Sequence, residues 1–214
     1  MKKVVLGAAV CAMAFSANAD VANESAVAEA VSESVFSSFY GGLGIGGSFL
    51  KSSIDGMKDM KTTNFMGTFV LGGGKVFENR SYMGGEFLIN FMQNKKKFYE
   101  DYAPGANLQM KGFSPQVSVK LGYNMRKDVL GYGKMGCAWS KISFFDGKDN
   151  HSKNKTSFVL GVGAEKSFFP DVSAAIEADY NFGFKTDDGG IGVNKVRANK
   201  GWSIRALAKC NVKY

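Results

Sequence analysis

The residues in this sequence that are best suited to carry chemistry are charged residues that recur at alternate positions. The chain has a single histidine, His151, and three cysteines, so few residues could serve as metal ligands or nucleophiles. Eight of the charged residues alternate with apolar ones along the chain, four acidic and four basic: Glu86, Glu165, Glu177, Asp179, Lys120, Lys134, Arg205 and Lys209. On one face of a sheet they could form a network of ion pairs or line a narrow path for ions.

The end of the chain indicates which kind of element positions these charges. From Trp202 to Tyr214 every even-numbered residue is apolar, and the odd-numbered residues are polar or charged except Leu207. A helix would spread the charges around its circumference, whereas a period of two confines them to one face. The segment is therefore predicted to be a β-strand.

Seven earlier segments alternate in the same way and are also predicted to be strands: 39–51, 63–74, 82–92, 113–124, 129–140, 156–165 and 173–184. The links between them alternate between short (75–81, 125–128 and 166–172) and long (52–62, 93–112, 141–155 and 185–200). Short periplasmic turns and long external loops are typical of outer-membrane barrels. The prediction is an all-β, eight-stranded, antiparallel up-and-down transmembrane barrel with four long external loops.

The N-terminal residues indicate export from the cytoplasm. Lys2 and Lys3 precede an apolar run over 4–15, and 17–19 reads Ala-Asn-Ala, which is typical of a signal peptide cleaved after Ala19. The apolar run is too short for a membrane span, which needs about 20 residues. We expect residues 1–19 to be the signal peptide, 20–37 a weakly ordered periplasmic lead and 38–214 the barrel. The expected location is the bacterial outer membrane.

Several motifs also resemble those of a known family. The segments Phe39-Tyr40-Gly41-Gly42-Leu43-Gly44 and Tyr132-Gly133-Lys134-Met135-Gly136, together with the terminal Tyr214, resemble opacity-type surface antigens and outer-membrane-protein-A-like barrels over 38–214. The resemblance implies an eight-stranded barrel whose C-terminal strand carries the signal for the barrel-assembly machinery, which would assign that role to Trp202, Val212 and Tyr214. Functions in that family include adhesion, surface antigenicity and envelope integrity, and a shared fold does not choose among them.

Two interpretations of the inward charges stay open. An eight-stranded barrel is only wide enough for side chains to fill its interior. The eight charges would then form a salt-bridged polar plug, because unpaired buried charges are strongly unfavourable. The alternative is a small pore in which the ion pairs exchange partners to admit ions.

Other motifs support chemistry less well. Gly42 to Gly47 matches G-x-G-x-x-G, but dinucleotide binding needs a following helix, so these glycines are expected to make room for large inward side chains instead. His151 and Ser152 are predicted to lie in the third long loop, and adjacent residues are poorly placed for proton transfer. Cys137 and Cys210 are predicted to be free, lipid-facing thiols, because they fall on the fifth and eighth strands, too far apart for a disulfide.

The external loops are predicted to carry the contacts with other molecules. The second loop combines basic and aromatic residues: Lys95, Lys96, Lys97, Phe98, Tyr99 and Tyr102. Such a surface attracts lipopolysaccharide, a host surface or acidic glycans. We expect a non-enzymatic surface antigen, adhesin or envelope protein with no catalytic residue, metal, cofactor or nucleic-acid partner. A lipid-modifying barrel enzyme is the less favoured alternative.

Overall fold

Eight long β-strands make up most of the computed structural model, which describes residues 34–54, 60–97, 107–145, 150–183 and 196–213. The strands are β1 (Ser38–Ile54), β2 (Met60–Val76), β3 (Ser81–Lys97), β4 (Asn107–Arg126), β5 (Val129–Phe145), β6 (Asn150–Phe169), β7 (Val172–Gly183) and β8 (Val196–Lys213). In this part of the chain, no helix is long and apolar enough to cross a membrane.

The strands form a closed barrel in which each is antiparallel to its sequence neighbours and β8 pairs with β1. Closure satisfies the backbone hydrogen-bonding groups within the sheet, as a hydrocarbon environment requires. Following the paired residues once around from Ser38 leads back to β1 at Ser48, ten residues further along. For eight strands this stagger corresponds to a strand tilt of about 40°, within the usual range for outer-membrane barrels. The predicted fold class is confirmed.

Side chains alternate strictly between the outer wall and the interior. On β8 the exposed residues are Trp202, Ile204, Ala206, Ala208, Cys210 and Val212, and the buried ones are Ser203, Arg205, Leu207, Lys209 and Asn211. The inward apolar exception, Leu207, is only 2% exposed. Between the aromatic residues at the two ends of the wall, the described outward positions carry apolar side chains or glycine, except Lys75 and Lys166 next to the short turns. This is the surface that hydrocarbon requires.

Aromatic side chains form a complete girdle at the end of the wall away from the short turns. Every strand contributes at least one outward ring: Phe49, Phe65, Phe91, Phe113, Trp139, Phe158, Tyr180, Phe182 and Trp202. Tyr180 contacts both neighbouring rings, with centroids 4.6 Å from Phe182 and 5.0 Å from Trp202. At the short-turn end the exposed rings come from fewer strands: Phe39, Phe77, Tyr123, Phe168 and Phe169.

Several predicted strand boundaries are wrong at the outer end. β4 begins at Asn107 and β6 at Asn150, six residues before the predicted starts, and β3 runs on to Lys97. Lys95, Lys96 and Lys97 therefore belong to a strand, as do His151 and Ser152, which pair with Phe144 and Ser143. Above the membrane the wall has no apolar face to maintain, so the outward positions become mostly polar while backbone pairing continues.

The short connections are tighter than predicted. They comprise only 77–80, 127–128 and 170–171, because β2, β4 and β6 extend further than the alternation indicates. Arg80 adopts a left-handed backbone conformation with φ of 64° in the first of these turns. β7 ends at Gly183, so Phe184 lies outside the described residues.

The glycines of β1 face the backbone and side chains of β8. A Cβ atom at Gly44 would collide with the Leu207 side chain, and one at Gly46 would lie 2.9 Å from the Cα and Cβ atoms of Arg205. Both glycines thus leave space for large inward residues on the adjacent strand. The segment from Gly42 to Gly47 lies inside β1, with no helix after it in the described residues, unlike a dinucleotide site.

Cys137 on β5 and Cys210 on β8 are both free, as predicted. Both occupy outward positions, and Cys210 is exposed on the wall.

The position of the wall within the membrane can be tested with charged substitutions at two outward positions. Ile45 lies between the girdle residues Phe39 and Phe49, and Val172 starts β7 at the short-turn end. We expect Ile45→Lys to lower the free energy of unfolding by about 2–4 kcal/mol and Val172→Lys by only about 0–1 kcal/mol, because water is closer to the latter. Denaturant titration of the barrel folded in lipid measures both. Equal losses at the two sites would contradict this placement of the membrane.

Candidate functional site

The interior holds the strongest concentration of functional groups in the described residues. All eight charged side chains predicted to point inward are at most 4% exposed, and Glu177 and Asp179 have no exposed surface. They lie on six different strands, β3 to β8, and meet only because the barrel closes. Four carboxylates and four cations share this space.

Lys134 lies at the centre of the network. Its Nζ atom is 2.5 Å from Oε2 of Glu177, 3.0 Å from Oε1 of Glu86 and 3.2 Å from Oδ1 of Asp179. Lys120 contacts the other oxygens of the same two glutamates, at 2.5 Å from Glu86 and 3.1 Å from Glu177. Two lysines and two glutamates therefore bridge one another in a closed arrangement that leaves no carboxylate without a cation.

Arg205 links the network to the outer half of the interior. Its Nη2 group pairs with Oδ2 of Asp179, and its Nε atom lies 3.5 Å from Oε2 of Glu177. Its Nη1 group donates a hydrogen bond to Oδ1 of Asn90 at 3.2 Å, and Gln116 donates to Asp179 at 3.4 Å. Neutral amides thus surround the charges on the outer side.

A separate ion pair lies on the side of the short turns. Nζ of Lys209 is 2.6 Å from Oε2 of Glu165, whose other oxygen accepts a 2.6 Å hydrogen bond from Ser173. The Lys209 ammonium group also lies 4.4 Å from the centre of the Tyr40 ring, a cation–π distance.

Tyr40 and Tyr132 are network members that were not among the predicted site residues. The Tyr132 hydroxyl donates to Glu177 at 2.7 Å and the Tyr40 hydroxyl donates to Glu86 at 3.3 Å, while the Tyr132 ring lies 4.3 Å from Nζ of Lys120. A signal for them exists in the sequence, because both stand at inward positions of their strands. Gly72 and Gly163 provide the space for the two rings.

The arrangement is suited to occluding the interior of the barrel. Burying a charge costs several kcal/mol unless partners compensate it, and here the four negative and four positive groups balance. Eight strands leave no room beyond what side chains fill. The described residues contain no group of three His, Cys, Asp or Glu side chains that could hold a metal ion.

The other predicted site residues lie elsewhere. Trp202 and Val212 face outward near opposite ends of β8, and Tyr214 lies outside the described residues. Of the predicted loop contacts, Lys95, Lys96 and Lys97 lie on β3, while Phe98, Tyr99 and Tyr102 fall outside the described residues.

The Lys209–Glu165 pair allows a test of how strongly these charges depend on each other. Lys209→Met leaves the Glu165 carboxylate buried without its cation and is expected to cost about 3–5 kcal/mol of unfolding free energy. The double variant Lys209→Met/Glu165→Leu removes both charges and is expected to be clearly more stable than Lys209→Met. Equilibrium unfolding of the wild type, both single variants and the double variant gives the coupling energy. A coupling energy near zero would contradict the ion pair.

Among the known structures compared, one with a TM-score above 0.5 agrees with this architecture. The structure of Neisserial surface protein A (NspA), from Neisseria, matches with 15% sequence identity and a TM-score of 0.53, over 81% of this chain and 97% of that one. The attachment invasion locus protein Ail of Yersinia pestis matches with 18% identity and a TM-score of 0.46, over 80% and 99%. The outer membrane protein OprG of Pseudomonas aeruginosa gives 16% and 0.45, over 85% and 99%. At these identities the likeness concerns the fold alone.

No curated protein sequence matches the chain significantly. A family model does: the model described as the outer membrane protein beta-barrel domain matches residues 6–203, most of the chain. The eight-stranded closed barrel with an apolar wall is the kind of architecture that this family description names. The chain therefore belongs to the outer membrane protein β-barrel domain family, and it is an eight-stranded barrel of the bacterial outer membrane.

Proposed function

We propose that this protein is a non-enzymatic surface barrel whose outer rim binds anionic groups, with the phosphates of lipopolysaccharide as the first partner. The observation that carries the proposal is a row of three lysines on adjacent strands. Lys51 on β1 is directly opposite Lys61 on β2 and directly opposite Lys200 on β8. Three lysines at one level of adjacent strands give this part of the rim a positive charge that attracts anions.

The position of the row indicates where the anion would come from. Lys51 is two residues beyond Phe49, and Lys200 is two residues before Trp202, so each continues the outward-facing positions past the aromatic girdle. Both lysine side chains are exposed. Aromatic girdles lie at the membrane–water interface, so the row lies at the level of the outer-leaflet head groups. Lipopolysaccharide presents its phosphates at that level.

The wall and the interior favour this function over the alternatives. A lipid-modifying enzyme would need an outward polar cluster, and the described outward positions between the aromatic ends are apolar or glycine except Lys75 and Lys166, which lie on separate strands. A pore would need free space, yet the interior is filled by charge-matched side chains with little or no exposed surface.

Two further contacts belong to the same proposal. The basic and aromatic residues from Lys95 to Tyr102 would contact acidic glycans or a host surface. The C-terminal residues Trp202, Val212 and Tyr214 would be recognised by the barrel-assembly machinery during biogenesis, as the family resemblance implies.

The lysine row is tested by a double variant with a matched control. Lys51→Gln/Lys200→Gln removes two outer lysines, whereas Lys75→Gln/Lys166→Gln removes two exposed outward lysines at the short-turn end. Each lysine near an anionic surface contributes about 1 kcal/mol, so we expect the outer variant to bind lipopolysaccharide roughly tenfold more weakly or worse. Titration of the detergent-folded barrel with purified lipopolysaccharide measures this. Unchanged affinity in the outer variant, or an equal loss in the control, would refute the site.

A small pore is the second candidate, because Lys134 contacts three carboxylates and could exchange partners among them. We expect planar-bilayer recordings of the purified barrel to lack discrete conductance steps, since the balanced charges keep the interior filled. A general porin inserted in the same bilayers is the positive control. Reproducible steps that disappear in a heat-unfolded sample would favour the pore.

A further inference from the structure

We infer that residues 34–37 form a tethered stopper at the periplasmic mouth of the barrel, with Phe36 as its sealing side chain. The inference goes beyond the proposed function, because it concerns the opposite end of the barrel from the lysine row, and either could fail alone. Phe36 is 5% exposed and Ser34 is 4% exposed, although both precede the first strand. A chain that simply left the barrel would expose these residues.

The partners of Phe36 place it inside the mouth. Its side chain joins a buried cluster with Val76, Tyr82, Leu130 and Tyr132. Val76 ends β2, Tyr82 is the second residue of β3 and Leu130 is the second residue of β5, so all three lie at the short-turn end. Phe36 therefore belongs to a buried cluster built from separate strands of the barrel, at the end that faces the periplasm.

Hydrogen bonds hold the segment in this position. The backbone N–H of Val76 donates to Oγ of Ser37 at 3.0 Å, which joins the segment to the end of β2. The Asn124 side-chain amide of β4 lies 3.4 Å from Oγ of Ser34. Within the segment, the Ser37 N–H donates to the Ser34 carbonyl at 3.1 Å, and the Ser38 hydroxyl donates to the Val35 carbonyl at 3.0 Å. Contacts with β2 and β4 thus fix the turn.

Tyr132 connects the stopper to the ion-pair network. It shares the buried cluster with Phe36, and its ring centre lies 4.3 Å from Nζ of Lys120 and 5.9 Å from Nζ of Lys209. Its hydroxyl donates to Glu177. Tyr132 thus belongs both to the buried cluster of Phe36 and to the surroundings of two buried lysines. Excluding water from this region strengthens the electrostatic interactions there. The stopper therefore keeps periplasmic water away from the network.

The test measures how readily a water-soluble amine reagent reaches the buried lysines. The mature chain is folded in detergent and treated with sulfosuccinimidyl acetate, and acetylation is quantified residue by residue by mass spectrometry. In the wild type we expect Lys120 and Lys209 to react far more slowly than the exposed Lys166. Phe36→Ala should raise the rates at Lys120 and Lys209 by about tenfold or more, since a local opening replaces the seal. Lys166 should react as before.

The matched control is Val35→Ala, which truncates the half-buried neighbour of Phe36 and leaves its backbone carbonyl in place. It should keep Lys120 and Lys209 protected, and so should Phe36→Leu, which retains a large apolar side chain. Equal protection in the wild type and in folded Phe36→Ala would overturn the inference. So would equal loss of protection in the Val35→Ala control.

A second measurement needs no substitution and applies even if Phe36→Ala fails to fold. The Val76 N–H is hydrogen-bonded to the Ser37 hydroxyl only while the turn is seated, whereas the Ser37 N–H is hydrogen-bonded within the turn itself. Their hydrogen exchange in the wild type should be as slow as that of the adjoining strand residues. Rapid exchange at both would show that the segment leaves the mouth freely and would overturn the stopper.

Discussion

A strand in hydrocarbon must find every backbone hydrogen-bond partner inside the protein, and this requirement governs the whole molecule. Eight strands satisfy it by closing on themselves, and closure divides the side chains into a lipid-facing set and an enclosed set. The apolar wall, the two aromatic ends and the enclosed charges are consequences of that division. Even the inward tyrosines depend on it, because their rings occupy spaces that glycines of neighbouring strands leave open.

Closure also makes charge balance a condition of stability. The enclosed carboxylates have little or no exposed surface, so each needs a cation within reach, and each cation needs a carboxylate. Lys134 and Lys120 meet this condition by sharing Glu86 and Glu177, and Lys209 meets it through its separate pair with Glu165. Shared partners bind strands together across the barrel axis, which the backbone ladder alone cannot do. The interior is consequently a structural core made of polar groups.

The sequence carried more information about which way each side chain points than about which side chains touch each other. Alternation alone placed Glu177 and Arg205 inside and Ile204 and Trp202 outside, because side-chain direction in a strand depends only on parity. Which carboxylate meets which cation depends on the stagger of the barrel, and no local pattern encodes that stagger. The same limit hid the buried position of Phe36, which precedes the first strand and has no strand parity, and the outer strand ends, where the outward positions are mostly polar. The lysine row was equally hidden, since Lys51, Lys61 and Lys200 become neighbours only through pairing.

The unequal aromatic ends have a consequence for how the barrel sits in membranes of different thickness. Rings on all eight strands hold the outer end at one interface, whereas at the short-turn end the exposed rings come from only part of the circumference. Interfacial aromatic residues resist displacement along the bilayer normal. When the hydrocarbon layer is thinner or thicker than the wall, the lipids of the inner leaflet should therefore deform more than those of the outer leaflet. The outer end of the barrel would stay at a constant level relative to the outer-leaflet head groups. The difference in thickness between the bilayer and the wall would be accommodated at the periplasmic end.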